Sequence, residues 1–154
     1  ALGFDVAFQE IFGTLAAGAT LELVDSELRL DFVRLWAHIR ARGIERLYLP
    51  YIALQALAET AMAAGDAFAP ALREVITAGE QLRITPQIAA FFARHPGCRL
   101  HNHYGPTESH VVVAHTLAGE PAAWPVLPPI GRPVGNVRIY LLDAHGAPVA
   151  EGVA

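Results

Sequence analysis

The chain has 154 residues, of which 53% are hydrophobic and 17% are charged, and its formal net charge is −4. This length is sufficient for one domain with a buried core. Charged residues, glycine or proline interrupt every apolar stretch before it reaches the roughly 18–20 residues of a membrane helix, so the sequence predicts no membrane span. The mildly acidic balance argues against a nucleic-acid-binding protein, which would carry a basic surface.

Several reaction classes are excluded by residue types that are missing or rare. The chain contains no lysine, which excludes a Walker-type phosphate loop, Schiff-base chemistry and a lysine general base. Its two serines, Ser26 and Ser109, do not lie in a Gly-x-Ser-x-Gly motif. The single cysteine, Cys98, allows no intramolecular disulfide, and the first residues show no signal-peptide pattern, so we expect a cytoplasmic location. Because the chain begins at Ala1 and its one methionine is Met62, we expect a piece of a longer protein.

The first predicted helix follows Asp5, whose carboxylate can accept hydrogen bonds from the first helical amides. Apolar residues then recur with the i, i+3, i+4, i+7 spacing of one buried stripe: Phe8, Ile11, Phe12 and Leu15. Gly18 ends this helix, and the alternating residues 19–24 predict a strand.

Three more predicted helices alternate with strands. Asp31 and Gly43 bound the second helix, residues 52–63 form the third, and Thr85 followed by Pro86 begins the fourth. The strands are predicted over residues 44–49, 74–78, 99–103 and 111–117. This alternation predicts an α/β fold, namely a flavodoxin-like, mostly parallel sheet with helices on both faces.

The composition changes after residue 117. Residues 1–117 form the predicted flavodoxin-like subdomain, whereas residues 118–129 contain four prolines and predict a stiff linker. Residues 137–143 and 147–150 then predict a β-hairpin. We therefore interpret residues 118–154 as a linker and the start of a second, β-rich subdomain.

Ligands of open α/β sheets bind beyond the carboxyl ends of the strands. Three segments fall at such positions, residues 4–6, 77–80 and 102–108, and the last is the richest in chemistry. Gly105 and Pro106 predict a tight turn, and Tyr104 offers a flat face for a base. Thr107 adds a hydroxyl, and the carboxylate of Glu108 suits Mg²⁺ beside phosphates. A plain surface turn with a buried tyrosine is an equally good interpretation of these residues alone.

Four ordered segments resemble motifs of the adenylate-forming superfamily, and most closely the amino-acid-activating adenylation domains of nonribosomal peptide synthetases. They are N-H-Y-G-P-T-E at residues 102–108, F-D-V-A-F-Q-E-I-F at residues 4–12, I-T-A-G-E at residues 76–80 and P-I-G-R-P-V-G-N-V-R-I-Y-L-L-D at residues 129–143. The second departs from the family pattern at Ala7, where serine is usual. The likeness covers essentially the whole chain.

The resemblance implies a role for each matching nucleotide-site position. Tyr104 and Gly105 would approach the nucleotide, with Tyr104 stacked on adenine and the backbone of Gly79 and Glu80 on its other face. Further roles fall to polar side chains: Asn102 on the adenine amino group, Thr107 on the phosphates, and Glu108 as the ligand of Mg²⁺. The implied cofactors are ATP and Mg²⁺.

Asp5 would bind the α-amino group of the substrate, a role that suits a carboxylate kept ionised at a helix N-terminus. The alternative for Asp5 is a plain helix cap. The other pocket positions implied by the resemblance are Val6, Gln9, Tyr48, Ile76, Ala78, His103, Val111 and Val112. Together they resemble the pattern of proline-activating domains, and close analogues of proline are also compatible with a small apolar cavity.

The implied reaction makes an aminoacyl adenylate from ATP and an amino acid. The product is then loaded onto the phosphopantetheine thiol of a partner peptidyl carrier protein, beside neighbouring synthetase domains. The family also needs an upstream phosphate loop, a downstream ribose-binding aspartate and a catalytic lysine. Since the chain contains none of these, we expect it to be inactive by itself.

Other interpretations remain open at this point. Within the superfamily the alternative is an acyl- or aryl-CoA ligase, although Asp5 would repel a substrate without an amino group. A non-catalytic flavodoxin-like binding module belongs to a different class, and a flavin-binding protein would need a phosphate loop after the first strand. A zinc site would use His101, His103, His110 or His115 with Glu108, and Cys98 is either a small buried residue or a nucleophile.

Overall fold

The computed structural model describes residues 6–65, 68–150 and 152 of the chain. Its helices are α1 (Val6–Ala16), α2 (Phe32–Arg42), α3 (Tyr51–Ala63) and α4 (Pro86–Ala93), with short 3₁₀ helices at Leu28–Leu30 and Pro121–Ala123. Its strands are β1 (Arg46–Tyr48), β2 (Glu74–Thr77), β3 (Arg99–Tyr104), β4 (Val113–Thr116) and β5 (Arg132–Pro133). The predicted alternation of helices and strands is thus confirmed from residue 32 to residue 104.

The five strands form one sheet in the order β1-β2-β3-β4-β5. β1, β2 and β3 are parallel, with α3 and α4 as the crossover helices between them. β4 and β5 add to the edge in antiparallel orientation. Only residues 105–112 connect β3 to β4, and a connection this short permits a hairpin but no parallel crossover.

The helix ends are where the sequence predicts them. Asp31 accepts a hydrogen bond from the amide of Arg34 at 3.0 Å and so caps α2, which ends at Gly43. Thr85 caps α4 in the same way through the amide of Ile88 at 3.2 Å. Each cap satisfies an amide that the helix itself leaves without a partner.

The main core lies on one face of the sheet. It joins α2, α3 and α4 to the inward residues of β2 and β3 and includes the fully buried Leu54, Leu57, Val75, Phe91 and Leu100. The other face is met by α1, since Gln9 contacts His103 of β3. The prediction of helices on both faces is therefore confirmed, and the carboxyl ends of β1, β2 and β3 lie between the two layers.

The predicted buried stripe of α1 is wrong for most of its members. Phe8, Phe12 and Leu15 are 61%, 62% and 55% exposed, whereas Ala7 is the residue that α1 buries. An amphipathic pattern shows that a helix has an apolar face but not what covers it, and the part of the chain that the structure describes leaves this face open. The predicted cap, Asp5, lies outside the described residues.

Residues 19–24 do not form the predicted strand, and Leu23 is 80% exposed. A strand is defined by its pairing with a neighbour, which an alternating pattern alone cannot supply. In the predicted terminal hairpin, the pairing within the described residues is reduced to a bridge between Leu142 and Pro148 around the turn at Asp143. The division of the chain after residue 117 stays a prediction.

Trp124 anchors the proline-rich connection to the core. Its indole Nε1 donates to the carbonyl oxygen of Ala118 at 2.9 Å, and its ring lies 5.4 Å from that of Phe92.

Among the described residues, no helix combines the length and apolar character that a membrane span requires.

Candidate functional site

The candidate site lies at the edge of the sheet where β1, β2 and β3 end. Tyr48 pairs with Ile76, and Thr77 pairs with Asn102, so the three carboxyl ends are side by side. Because successive side chains of a strand point to opposite faces, these residues divide into two groups. Tyr48, Ile76 and His103 belong to the face that α1 approaches, whereas Thr77 and Asn102 belong to the face of the main core.

The first group forms a half-buried surface against α1. The side-chain nitrogen Nε2 of Gln9 lies 3.4 Å from Nδ1 of His103. The hydroxyl of Tyr48 also approaches α1, since a Cβ built on Gly13 would lie 3.9 Å from it. Ile76, 5% exposed, forms the floor between them. The structure therefore brings together Gln9, Tyr48, Ile76 and His103, which the sequence assigns to one pocket.

The remaining predicted pocket residues lie in segments that adjoin this surface. Val6 begins α1, and Ala78 follows β2; both are half-buried. Val111 and Val112 are half-buried at the end of the β3–β4 loop, where the amide of Val112 donates to the carbonyl oxygen of Tyr104 at 2.9 Å. The predicted ammonium partner, Asp5, lies outside the described residues.

The histidines of this surface are neutral near pH 7. Burial lowers the pKa of His103, and the nearby His101 and His110 lower it further. Burial also lowers the pKa of His101, whose Nδ1 lies 2.9 Å from the hydroxyl of Thr116. The side-chain amide of Gln9 is the hydrogen-bond partner of Nδ1 of His103. A neutral imidazole can line a pocket for a cationic group without repelling it.

The second group belongs to the nucleotide positions that the resemblance implies. Asn102 is buried and its Nδ2 donates to the carbonyl oxygen of Pro129 at 3.1 Å, which leaves Oδ1 as an acceptor. β2 ends with Thr77 paired to Asn102, so Gly79 follows the end of β2 while Tyr104, which is 50% exposed, ends the neighbouring β3. Gly79 adopts a φ of +83°, a conformation that favours glycine. A flat ring and a backbone turn thus stand at the ends of neighbouring strands.

The β3–β4 loop is closely packed at Gly105. A Cβ at this position would overlap the carbonyl oxygen of His110, so the loop tolerates only glycine here. The amide of Ser109 donates to the carbonyl oxygen of Pro106 at 3.1 Å and closes the turn. Thr107 and Glu108 are exposed at the tip of this turn. The predicted tight turn is confirmed, although the close approach that requires glycine is to the loop's own backbone.

The donor chemistry of this loop fits Mg²⁺ and phosphate. Mg²⁺ prefers carboxylate oxygens and usually keeps several waters, so the exposed carboxylate of Glu108 suits it better than a buried one. The hydroxyl of Thr107 is adjacent in sequence and equally exposed. If Mg²⁺ and ATP bind here, these two residues are the ones in the loop that would contact them.

The structure does not bring the four candidate zinc histidines together. His101 and His103 share a face, with ring centroids 6.2 Å apart, whereas His115 pairs with Asn102 and belongs to the other face. Within residues 6–65, 68–150 and 152, no three histidine, cysteine, aspartate or glutamate side chains form a metal-binding group. Cys98 is buried, and burial raises the pKa of its thiol to about 12, which suits a packing residue rather than a nucleophile.

One polar side chain of this edge makes a contact that the sequence does not predict. The carboxylate of Glu80 accepts a hydrogen bond from the amide of Ile52 at 3.2 Å. This contact has no signal in sequence spacing, because it joins two segments that come together only through the sheet. His101, a candidate zinc ligand in the sequence, lies beside His103 on the pocket face, as their spacing in one strand predicts.

Comparison with known proteins agrees with this geometry. The AMP-binding enzyme family matches residues 1–154. Tyrocidine synthase 2 of Brevibacillus parabrevis is 43% identical over 151 residues, which are 97% of this chain and 4% of that protein. Gramicidin S synthase 2 of Brevibacillus brevis is 37% identical over 150 residues, 97% of this chain and 3% of that protein.

Solved structures show the same fold. PA1221, a nonribosomal peptide synthetase protein containing adenylation and PCP domains, superposes with a TM-score of 0.79 at 30% identity, covering 98% of this chain and 29% of that one. The synthetase FmoA3 superposes with a TM-score of 0.82 at 24% identity over 96% of this chain and 16% of that one.

The chain belongs to the AMP-binding enzyme family and is part of an adenylation domain of the nonribosomal peptide synthetase type. It spans only 4% of the length of tyrocidine synthase 2 and 3% of that of gramicidin S synthase 2. The match to the family confirms the resemblance on which the site residues were predicted, but each residue's role stays a prediction.

Proposed function

We propose that this chain carries the amino-acid pocket and part of the nucleotide site of a domain that activates L-proline or a close analogue as its adenylate. The observation that supports this most directly is the division of the sheet edge. The predicted amino-acid residues Tyr48, Ile76 and His103 share one face, and the predicted nucleotide residues Asn102 and Tyr104 share the other. Two substrates that react with each other would thus meet at the strand ends.

In the proposed reaction, a carboxylate oxygen of the amino acid attacks the α-phosphorus of ATP. A new oxygen–phosphorus bond forms, the bond from the α-phosphorus to the bridging oxygen breaks, and pyrophosphate leaves with the electron pair. Because two anions must approach, the chain's task is to position them and to offset their charge, not to act as a nucleophile. Mg²⁺ held by Glu108 would neutralise phosphate charge, while Thr107 and the Tyr104 ring would orient the nucleotide.

Proline is the substrate that fits the pocket chemistry best. The walls assigned to it are mostly apolar, with Ile76, Val111 and Val112 among them, and they suit a pyrrolidine ring. Asp5 would bind the secondary ammonium through a charge-assisted hydrogen bond. The neutral state of His103 supports this assignment, since a charged imidazole in the wall would repel the ammonium.

The proposed product is an aminoacyl adenylate that is passed to a carrier-protein thiol. PA1221, which contains adenylation and PCP domains, supports this partner. The partner's phosphopantetheine thiol would attack the activated carbonyl and release AMP. Since the chain has no lysine, the catalytic lysine of the family would come from another part of the protein, and we propose that this chain alone does not turn over.

The test is amino-acid-dependent exchange of pyrophosphate into ATP by a complete domain that carries this chain. We expect proline and its ring analogues to give the highest rates. Asp5→Ala should abolish the exchange while ATP binding is kept, whereas Asp31→Ala, which removes the acidic cap of α2, should leave substrate preference unchanged. A clear preference for a charged or large aromatic amino acid would contradict the proline assignment, and exchange by Asp5→Ala at the wild-type rate would remove its ammonium-binding role.

A further inference from the structure

The carboxylate of Glu80 is bound to the first turn of α3. Its Oε2 accepts a hydrogen bond from the backbone amide of Ile52 at 3.2 Å, across 28 residues of sequence. Ile52 is the second residue of α3, so its amide has no acceptor within the helix. Glu80 therefore serves as an N-terminal cap that comes from a different segment of the chain.

The local sequence of α3 explains why a distant cap is needed. The residue at its N-cap position is Pro50, which makes no side-chain hydrogen bond to the helix. α2 and α4, in contrast, are capped by their own neighbours Asp31 and Thr85. A carboxylate is also the group that the positive end of a helix dipole favours. Glu80 supplies both the missing acceptor and the matching charge.

The bond from Glu80 holds the turn that follows β2. Gly79 changes the direction of the backbone there with a φ of +83°. Residues 80–85 then contact α3 at both of their ends. Leu82 is buried in the core, and the Thr85 hydroxyl donates to Oε1 of Gln55 at 2.7 Å, one helical turn beyond Ile52. Of these attachments, the Glu80 carboxylate is the one directly next to the Gly79 turn.

We propose that Glu80 is a positioning residue for the nucleotide. Its carboxylate binds the N-terminus of α3 and thereby holds the backbone of Gly79 and Glu80 at the end of β2, next to the strand that ends with Tyr104. This inference rests on the proposed function, in which that backbone and that ring contact the base. It assigns to the Glu80 side chain a task distinct from metal binding or proton transfer, because the carboxylate is engaged with α3.

The test compares Glu80→Ala and Glu80→Gln in a complete domain that carries this chain. We expect Glu80→Ala to raise the KM for ATP about three- to tenfold, as the loss of a charged cap would predict, with the KM for the amino acid unchanged. Glu80→Gln keeps an acceptor oxygen and should recover part of the loss. Calorimetric titration with ATP gives a second readout that does not depend on turnover.

The matched control is Asp31→Ala, which removes a cap of the same kind from α2, a helix to which no nucleotide-binding residue is assigned. If Glu80 acts only through stability, both alanine variants will lower the unfolding midpoint and leave the KM for ATP unchanged, and the inference is overturned. If Glu80→Ala does not fold, Glu80→Gln decides: a measurably weaker ATP affinity with an unchanged KM for the amino acid supports the inference, and a lowered unfolding midpoint with wild-type ATP affinity overturns it. A wild-type domain without any exchange activity contradicts the proposed function instead, and this outcome is separate from the behaviour of the Glu80 variants.

Discussion

Gln9 and His103 are 94 residues apart in the chain, yet the amide nitrogen of one lies 3.4 Å from the ring nitrogen of the other. This contact joins α1 to the last residues of β3 and places one polar residue of the helix against the sheet edge. It also gives Nδ1 of His103 a polar partner on α1. The position of α1 over the strand ends therefore depends on a specific polar contact as well as on Ala7.

Replacing Gln9 with alanine is expected to weaken amino-acid activation. The change removes the hydrogen-bond partner of Nδ1, so the ring of His103 loses its fixed orientation in the pocket wall. We expect kcat/KM for the amino acid to fall about five- to tenfold, the effect of one lost hydrogen bond, with the KM for ATP unchanged. Pyrophosphate exchange measured against each substrate in turn provides both values.

The control for this variant is Gln87→Ala on α4, where the side chain is exposed and is not one of the residues assigned to the site. It should leave both kinetic parameters at their wild-type values. An equal loss in Gln9→Ala and Gln87→Ala, or a loss confined to the KM for ATP, would be inconsistent with a pocket role for the Gln9–His103 pair.

Replacing Glu108 with alanine is expected to lower turnover and to raise the Mg²⁺ concentration needed for half-maximal exchange. The loop loses the carboxylate proposed as metal ligand, and we expect a decrease of at least about tenfold at fixed Mg²⁺. A titration of the exchange rate with Mg²⁺ measures the shift. Glu120→Gln, at an exposed position outside the site, is the control. An unchanged Mg²⁺ dependence in Glu108→Ala would exclude the metal-binding role.

Replacing Gly105 with alanine is expected to distort the β3–β4 loop. The added Cβ would overlap the carbonyl oxygen of His110, so the backbone must shift at a cost of about 1–3 kcal/mol. Gly135→Ala is a matched control, since a Cβ there meets nothing within 4 Å. Urea unfolding of the complete domain should show destabilisation by the first substitution only. Equal stability of the two variants would mean that the loop packs less closely than described.

Stability is expected to fall as the pH decreases below about 6.5, partly because of His95. Its imidazole is buried; Nδ1 donates to the carbonyl oxygen of Phe91 at 2.8 Å, and Nε2 accepts from the amide of Ala69 at 3.0 Å. Burial lowers the pKa of His95, as it does those of His101 and His103. These histidines therefore bind protons more readily in the unfolded chain than in the folded one. As the pH falls through the ordinary histidine range, the free energy of unfolding decreases.

The measurement is the free energy of unfolding in urea at about pH 7.5 and about pH 5.5. The free energy of unfolding of His95→Gln should decrease less between the two pH values than that of the wild type. The two decreases should differ by up to about 1.4 kcal/mol for each pH unit by which folding lowers the pKa of His95. His145→Gln, at an exposed position, is expected to keep the wild-type decrease. A decrease of the same size in His95→Gln would assign the pH dependence to other groups.

The sequence predicts the fold best where the signal is local. Asp31, Gly43 and Thr85 act within one or two turns of their own helices, and each is where it was predicted. Residues 19–24 and the stripe of α1 failed because a strand needs a partner and an apolar face needs a cover. Neither the partner nor the cover is encoded in the pattern itself.

The candidate site was predictable mainly through family resemblance. Gln9 and His103 come together only because α1 lies against the sheet, which no spacing along 94 residues reveals. The motif around Tyr104 suggested chemistry from its residue types, but an equally good surface-turn interpretation existed. No feature of the sequence predicts the contact of Glu80 with Ile52, because this contact depends on a proline at the start of α3 and on a turn in a different segment.

The bond between the amide of Val112 and the carbonyl oxygen of Tyr104 has a consequence for engineering substrate preference. It couples a wall residue of the proposed amino-acid pocket to the residue proposed to hold the base. Because both atoms belong to the backbone, the exchange of a wall side chain between synthetases keeps this bond, whereas a graft that begins or ends inside the β3–β4 loop would separate its two partners. A graft that transfers the whole hairpin from Arg99 to Thr116 preserves that coupling and offers the safer boundary for redesign.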